Sequence, residues 1–142
     1  MQDYSFSFET YCDNDYLDYI RCFRIEFKYL DHVIGHLLGK INHKSGNACI
    51  SELFVAKEHR RNGIATQMLK RCLKRFGKDF DFELLACPFS NESFVTSEIL
   101  KKFYEKFDFD CVCVSQETEI EIAYIMKRKK NAFDFEDDWI FV

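Results

Sequence analysis

The sequence lacks the patterns that would mark a metal protein, a secreted protein or a membrane protein. Its seven cysteines include no Cys-x-x-Cys pair, and Cys111 and Cys113 have no second pair with which to complete a metal site. The N-terminus has no basic start, and no apolar stretch approaches the length of a signal sequence or a membrane-spanning helix. We therefore expect reduced thiols, no bound metal, no membrane association, and a location in the cytoplasm or, where a nucleus exists, in the nucleus.

Acidic residues are concentrated at both ends of the chain and basic residues in the middle, within a net charge of -4. The basic stretch extends from Lys57 to Lys78. A nucleic-acid-binding protein would be basic overall or along a whole face, so we expect no nucleic-acid partner and instead a local site for an anion. The Gly-Lys-Ser/Thr end of a P-loop is absent, which disfavours ATP as that anion.

Neither an internal repeat nor a linker divides the chain. A length of 142 residues is enough for one continuous core, whereas two domains of half that length would each be marginal. Hydrophobic residues make up 47% of the chain and aromatic residues 17%, which is enough for a packed core. We predict a single domain over 1–142, with its core at about 19–128 and an acidic aromatic tail at 131–142 that either packs on a protein surface or stays in solvent.

The apolar pattern predicts an antiparallel meander of strands, followed by two helices and further strands. Between residues 19 and 56 apolar and polar residues alternate in three runs, separated by turn-forming clusters, which is typical of antiparallel strands. From Asn62 the apolar residues recur every four positions, as in a helix, and Gly77 is expected to end it. We predict, in order, a weak strand at 5–8, a short helix at 10–18, strands at 19–29, 33–41 and 48–56, a helix at 62–76, a strand at 80–87, a second helix with Val95, Ile99, Leu100, Phe103 and Phe107 on its inner face, and strands at 110–115 and 119–127.

The segment from Arg60 to Ala65 connects a strand to a helix and carries two arginines. The first turn of a helix has backbone N–H groups without helical partners, and the helix dipole adds partial positive charge at the same place. Gly63 lets a phosphate approach the backbone closely, and the small Ala65 leaves room for the next turn. These residues predict a phosphate site, although an ordinary strand-to-helix turn with a solvated basic cap fits the same six positions.

Two motifs, in this order, resemble the signature of the GNAT superfamily of N-acetyltransferases. Residues 50–69, with Arg60-x-x-Gly63-x-Ala65, are similar to its Arg/Gln-x-x-Gly-x-Gly/Ala motif after a Leu-x-Val strand. Residues 100–109 are similar to its Ala-x-x-Phe-Tyr-x-Lys-x-Gly-Phe motif. The resemblance implies an α+β fold with a mixed, mostly antiparallel and V-shaped sheet of six or seven strands, flanked by two to four helices.

The resemblance also implies that acetyl-CoA enters the splay between the strand that ends at Val55 and the strand that begins near Phe80. Its pantetheine is expected to pair with the backbone of the first of these strands, and its pyrophosphate to bind the N–H groups at 61–66. Lys70 and Lys74 either reach the outer phosphate or form an exposed basic face of the helix. The predicted cofactor-binding residues are Leu53, Phe54, Val55, Arg60, Arg61, Asn62, Gly63, Ile64, Ala65, Thr66 and Asn91.

Acyl transfer from a thioester to an amine requires a deprotonated amine, a stabilised oxyanion and a proton for the departing thiolate. The resemblance implies that Tyr104 is the general acid and that the backbone N–H of Val55 donates to the oxyanion. A packed aromatic role for Tyr104 is the alternative.

Glu52 is the carboxylate of the central strand and therefore the candidate base. Regular strand alternation puts Glu52 and Phe54 on one face and Cys49, Ser51, Leu53 and Val55 on the other. Members of the family often carry the acid at the position of Ser51, so a water-relayed path or another acid stays open. Three histidines, namely His32, His36 and His59, are left outside the predicted site.

The sequence says less about the amine acceptor and the oligomeric state than about the cofactor site. Acidic residues at 13–18 either favour a cationic amine acceptor, such as a polyamine, a lysine side chain, a protein N-terminus or an aminoglycoside, or form a solvated acidic surface. A homodimer formed through the last strands or the tail is expected. Ser97, Leu100 and Asp108 depart from the asparagine, alanine and glycine that are usual around the tyrosine. An inactive acyl-CoA-binding or protein-interaction module is therefore kept as the alternative function.

Overall fold

The computed structural model describes residues 4–12, 18–60, 62–87, 96–116 and 122–131. Within these ranges the chain forms seven strands, two α-helices and one short 3-10 helix, and none of the helices is long and apolar enough to cross a membrane. The elements are β1 (Tyr4–Tyr11), β2 (Ile20–Tyr29), β3 (His32–Asn42), β4 (Asn47–Val55), the 3-10 helix (Lys57–His59), α1 (Ile64–Phe76), β5 (Asp81–Ala86), α2 (Ser97–Glu105), β6 (Asp110–Gln116) and β7 (Ile122–Arg128).

The strands form one mixed sheet in the order β1-β2-β3-β4-β5-β7-β6. Strands β1 to β4 are an antiparallel meander, β4 and β5 are parallel, and β7 pairs antiparallel with both β5 and β6. Helix α1 connects the parallel pair, because parallel strands require a crossover connection rather than a hairpin. The predicted α+β class with a mixed, mostly antiparallel sheet is confirmed.

The first strand is longer than the sequence pattern predicted. β1 covers Tyr4–Tyr11 rather than 5–8, and it pairs with β2 over its whole length. Pairing with β2 gives its backbone groups hydrogen-bond partners, which favours a strand even where the apolar alternation is weak. The short helix predicted at 10–18 is therefore wrong at its first two residues, and residues 13–17 lie outside the described ranges.

Both α-helices pack on the same face of the sheet, with α1 against β2, β3 and β4 and α2 against β5, β6 and β7. The other face, which we call the open face, has no helix packed on it within the described ranges. On β3 the side chain of Leu37 is fully buried beneath α1, so the neighbouring side chains of His36 and Leu38 project to the open face. Cross-strand pairing extends the open face to Arg24, Glu26, Glu52 and Phe54.

A β-bulge at Ser51 marks the place where β4 and β5 separate. Two consecutive residues of β3 pair with Ile50 and Glu52, so Ser51 is the extra residue of β4. The pairing of β4 with β5 ends at Ile50 and Leu84. Because a bulge bends its strand and increases the local twist, it turns the last part of β4 away from β5. The predicted splay between these two strands is present in the sheet.

Helix α2 buries a different set of side chains from the predicted one. Tyr104 is buried and Leu100 and Phe103 are half-buried, but Ile99 is 51% exposed. The N-terminal part of α2 lies beside the splay, so its first turn borders a cleft rather than the sheet. The assignment of Ile99 to the inner face was wrong for this reason, and Val95 lies outside the described ranges.

Candidate active site

A cleft of about 440 Å³ occupies the splay between β4 and β5. This volume is in the usual range of ligand pockets, roughly 300–1,000 Å³. The walls come from the end of β4, the loop before α1, the first turn of α1, the end of β5 and one side of α2. Arg61 and Asn91, both predicted to bind the cofactor, lie outside the described ranges. The cleft brings together the predicted residues Glu52, Leu53, Phe54, Val55, Arg60, Gly63, Ile64, Ala65, Thr66 and Tyr104.

The start of α1 has the geometry of an anion site. Gly63 precedes the helix with a φ of 74°, a left-handed conformation that glycine adopts without strain. A Cβ added at Gly63 would meet no atom within 4 Å, so the backbone here borders open space. The first turn, which begins at Ile64, contains no acidic residue, so no side chain of that turn offsets the positive end of the helix dipole. Lys70 and Lys74 do not line the cleft, and Lys74 is exposed whereas Lys70 is half-buried.

Two residues of the loop are fixed by contacts with backbone carbonyl groups. Nε of Arg60 donates to the carbonyl oxygen of Val55 at 2.9 Å, and Nδ2 of Asn62 donates to that of His59 at 3.3 Å. Arg60 therefore ties the loop to the end of β4 while also lining the cleft. The side chain of Asn62 does not line the cleft, so a role for Asn62 in cofactor binding rests on its backbone.

The edge of β4 that faces the cleft presents backbone groups to it. The N–H of Ala56 donates to the carbonyl oxygen of Ile34, on β3, at 2.7 Å. Because backbone N–H groups alternate in direction along a strand, those of Val55 and Leu53 point the other way, into the splay. This is the edge that the sequence predicted for pantetheine binding, and Val55 is the predicted oxyanion donor.

Tyr104 borders the cleft from the side of the helices. Its side chain is 5% exposed, and its ring packs edge-on against Phe103 and Phe109. Burial raises the pKa of the Tyr104 phenol well above its ordinary value, with a smaller contribution from Cys72. The phenol therefore carries its proton at neutral pH, which is the state that a general acid requires.

Glu52 reaches the cleft from the open face, so Tyr104 and Glu52 border it from opposite faces of the sheet. The Glu52 carboxylate is hydrogen-bonded to the imidazole of His36, and their side chains are 23% and 27% exposed. The bulge at Ser51 also changes the predicted alternation, because Cys49 now lies on the same face as Glu52. The opposite placement of Cys49 was wrong because it assumed a regular strand.

The sequence interpretation missed part of the cleft. His59 lines the cleft beside Arg60. Its position directly before the Arg60 motif could have predicted this placement. His36 gave no such signal, because its contact with Glu52 depends on the register between β3 and β4. The other lining residues outside the prediction are Ile50, Ser51, Leu84, Leu85, Cys87, Ile99, Leu100 and Phe103.

Two arginines of the basic stretch contact β1 instead of the cleft. The guanidinium of Arg71 lies over the ring of Phe6 at 3.8 Å, and that of Arg75 over the ring of Phe8 at 4.3 Å. These cation–π contacts give two positive charges of α1 partners within the chain, so these two charges do not indicate a ligand site. The seven cysteines are free thiols, and the described residues contain no group of three metal-binding side chains.

A family model described as "Acetyltransferase (GNAT) family" matches residues 1–109 of the sequence. The chain belongs to the GNAT family. The family's Arg-x-x-Gly-x-Ala motif is the loop that borders the cleft at Arg60 and Gly63. No curated protein sequence matches this GNAT chain significantly.

Solved structures of other GNAT proteins share the fold. Naa50 of Arabidopsis thaliana, in complex with the bisubstrate analogue CoA-Ac-MVNAL, matches with a TM-score of 0.60 and 22% identity over 75% of this chain and 72% of that one. PaiA N-acetyltransferase of Thermoplasma acidophilum, in complex with coenzyme A, matches with a TM-score of 0.54 and 19% identity over 76% and 60%. Ard1 of Thermoplasma volcanium matches with a TM-score of 0.57 and 18% identity over 74% and 68%. At these identities the likeness establishes the fold.

Proposed function

We propose that this GNAT protein transfers an acetyl group from acetyl-CoA to a primary amine. The observation that carries the proposal is the cleft in which the loop before α1, the edge of β4 and Tyr104 meet. Acetyl-CoA has a pyrophosphate, an arm with amide groups and a reactive thioester. The three parts of the cleft match these three groups in chemistry and in order.

The loop suits the pyrophosphate because Gly63 leaves open space beside the first N–H groups of α1. The guanidinium of Arg60 adds positive charge at the same end of the cleft. The N–H groups of Leu53 and Val55 suit the pantetheine amides, because an extended ligand can pair with a strand edge as an added strand would. The thioester then lies near Tyr104.

Three groups meet the chemical needs of direct transfer. Glu52 removes a proton from the acceptor ammonium, directly or through a water molecule, and the resulting amine attacks the thioester carbonyl to form the C–N bond. The N–H of Val55 donates to the oxyanion that develops on the carbonyl. Tyr104 gives its proton to the thiolate as the C–S bond breaks.

The acceptor that we propose is a cationic amine, either on a small molecule such as a polyamine or an aminoglycoside, or on a protein. Glu52 borders the cleft from the open face, where Glu26 lies in the neighbouring row of side chains. The carboxylate of Glu52 favours a positively charged acceptor, whereas that of Glu26 contacts the guanidinium of Arg24. In the described ranges no helix covers the open face, so an amine has a direct approach to Glu52.

Calorimetry of acetyl-CoA binding to wild type and to Gly63→Glu tests the cofactor site. The glutamate places bulk and negative charge where the phosphates are proposed to bind, so we expect tight binding by wild type and at least about a 100-fold loss in the variant. Gly46→Glu is the matched control. Gly46 also has a positive φ, of 77°, and open space for a Cβ, but it lies in the turn between β3 and β4.

The outcomes separate the candidate functions. Absence of binding by wild type, or equal losses in Gly63→Glu and Gly46→Glu, contradicts the proposed cofactor site. Specific binding followed by no acetylation of any amine in a screen of polyamines, aminoglycosides and peptides supports the alternative, an inactive acyl-CoA-binding module.

A further inference from the structure

His36 contacts the candidate base but has no part in the mechanism above. Its Nε2 atom is hydrogen-bonded to Oε2 of Glu52 on the neighbouring strand. The residue directly opposite His36 on β4 is Phe54, so the contact with Glu52 is diagonal. Diagonal neighbours in a sheet are farther apart than directly opposed ones, and they meet only when their side chains are turned toward each other.

The imidazole of His36 is held by several neighbours. Its ring packs against that of Phe54, with the centroids 5.4 Å apart. On β2, Glu26 lies directly opposite His36, and the carboxylate of Glu26 contacts Arg24 at 4.0 Å. The charged groups around the imidazole are therefore Glu52, Glu26 and Arg24. A ring packed in this way has few orientations, so its hydrogen bond also limits the orientations of the Glu52 carboxylate.

The pair differs in chemistry and in position from four ion pairs elsewhere in the described ranges. It contains an imidazole and reaches the cleft through Glu52, whereas the others join carboxylates to lysine or arginine away from the cleft. An exposed ion pair contributes little to stability, and this pair is only partly buried. Its location beside the proposed acceptor therefore points to a role in the reaction. The other pairs are Arg24–Glu9, Arg24–Glu26, Lys101–Glu105 and Lys127–Glu83.

We propose that His36 is a positioning residue for Glu52, and this inference rests on the proposed function. The Nε2–H of His36 donates to the Glu52 carboxylate and holds it toward the amine. Glu52 takes one proton from the ammonium and releases it to solvent after the reaction. The acceptor nitrogen loses a second proton as the amide forms. This proton restores the phenol of Tyr104, which has given its own proton to the thiolate.

Two substitutions at His36 separate positioning from simple packing. His36→Gln keeps an N–H donor without an ionisable ring, and His36→Phe keeps a ring against Phe54 without a donor. We expect His36→Phe to lower kcat by about 10- to 100-fold, as is typical when a supporting hydrogen bond is removed. His36→Gln should recover most of that loss, because its amide N–H can still donate to the Glu52 carboxylate. His32→Phe, the same change at an exposed position of β3, is the control.

A double-variant cycle shows whether His36 acts through Glu52. Glu52→Gln alone should lower kcat by about 100-fold or more, as expected for loss of a general base. Adding His36→Phe to Glu52→Gln should cause no further loss, because the two residues act as one unit. Acetyl-CoA affinity, measured by calorimetry, should stay within about twofold of wild type in the His36 single variants, since His36 does not line the cleft.

Each adverse result has a distinct meaning. An active wild type with unchanged kcat in both His36 variants would overturn the positioning role and leave the proposed function intact. Additive losses in the double variant would show that His36 acts independently of Glu52, which also overturns it. A wild type that acetylates no amine refutes the proposed function, and the role of His36 fails with it.

Discussion

Removal of the Tyr104 hydroxyl tests the general acid at the scale of one atom. Tyr104→Phe keeps the ring packed against Phe103 and Phe109 and removes the group that would protonate the thiolate. We expect kcat to fall by about 100-fold or more, while the acetyl-CoA dissociation constant remains near that of wild type. Steady-state kinetics and calorimetry measure the two quantities separately.

Tyr124→Phe is the matched control for this prediction. Tyr124 donates its hydroxyl proton to Glu98 at 2.9 Å and does not line the cleft. Loss of that hydroxyl should leave kcat within about twofold of wild type. A Tyr104→Phe enzyme with wild-type kcat would show that Tyr104 serves only as a packed aromatic, which is the alternative that the sequence left open.

Asp108 occupies a backbone conformation that favours glycine, with a φ of 66° just after α2. This explains why the GNAT motif usually has glycine at this position. Asp108→Gly and Asp108→Ala both remove the carboxylate, so the difference between them isolates the backbone conformation. We expect the glycine variant to be more stable than the alanine variant by about 1 kcal/mol, measured as the free energy of unfolding in urea. Equal stability would mean that the conformation relaxes at little cost.

At this scale the sequence predicted the residues whose roles follow from a motif and missed those that depend on register. Gly63, Arg60 and Tyr104 all border the cleft because the motif fixes their spacing along one loop and one helix. His36 and Glu52 are 16 residues apart in sequence, and their contact joins two neighbouring strands. Only the pairing of β3 with β4 brings these side chains together, and hydrophobic alternation does not specify it.

At the scale of elements, two cation–π contacts join α1 to β1, in addition to the contact between the rings of Phe8 and Phe76. Arg71 lies over Phe6 and Arg75 over Phe8. The double change Arg71→Gln and Arg75→Gln should lower the free energy of unfolding by about 1–2 kcal/mol, since each contact contributes roughly 0.5–1 kcal/mol. Hydrogen exchange should show the loss of protection concentrated in β1.

A matched control for the arginine contacts is Lys74→Gln, which removes a positive charge from the exposed side of the same helix. It should change the free energy of unfolding by less than about 0.5 kcal/mol. If this variant and the double arginine variant lose equal protection in β1, charge on α1 rather than ring stacking stabilises the strand.

Among the elements, the sequence predicted the order and kind of the strands and helices from β2 onward, because apolar residues recur with a different period in strands and in helices. It did not predict the bulge at Ser51, because one extra residue leaves the apolar run of β4 unbroken. It also did not predict that the first turn of α2 borders the cleft, where Ile99 is exposed. Both features depend on how neighbouring strands separate, and this separation forms only when the sheet is assembled.

At the scale of the whole molecule, several expectations stay predictions. The acidic aromatic tail at 132–142 lies outside the described ranges, so the proposed homodimer has no interface in the structure to support it. The single domain and the cytoplasmic location are likewise untested. The α+β architecture followed from periodicity and from the GNAT resemblance, and these depend on local sequence. Assembly depends on surfaces whose partners the sequence does not contain.

Alkaline pH should destabilise the whole fold through two buried groups beneath the helices. Burial raises the pKa of both the Cys72 thiol and the Tyr104 phenol. In the unfolded chain such groups ionise near about 8.5 and about 10, while in the folded chain they remain neutral at those values. Each therefore contributes its full stability below the unfolded pKa and loses it as the pH rises above that value.

The free energy of unfolding should be nearly constant from about pH 7 to 8 and then fall, by up to about 1.4 kcal/mol per pH unit for each group. Cys72→Ala should lower the stability at pH 7, because it opens a small cavity, but should also delay the onset of the fall to the range of the phenol. Cys113→Ala is the control, since it removes a thiol that is exposed. Urea unfolding from pH 7 to 11 measures these curves, and parallel curves for Cys72→Ala and wild type would show that the buried thiol does not set the alkaline limit.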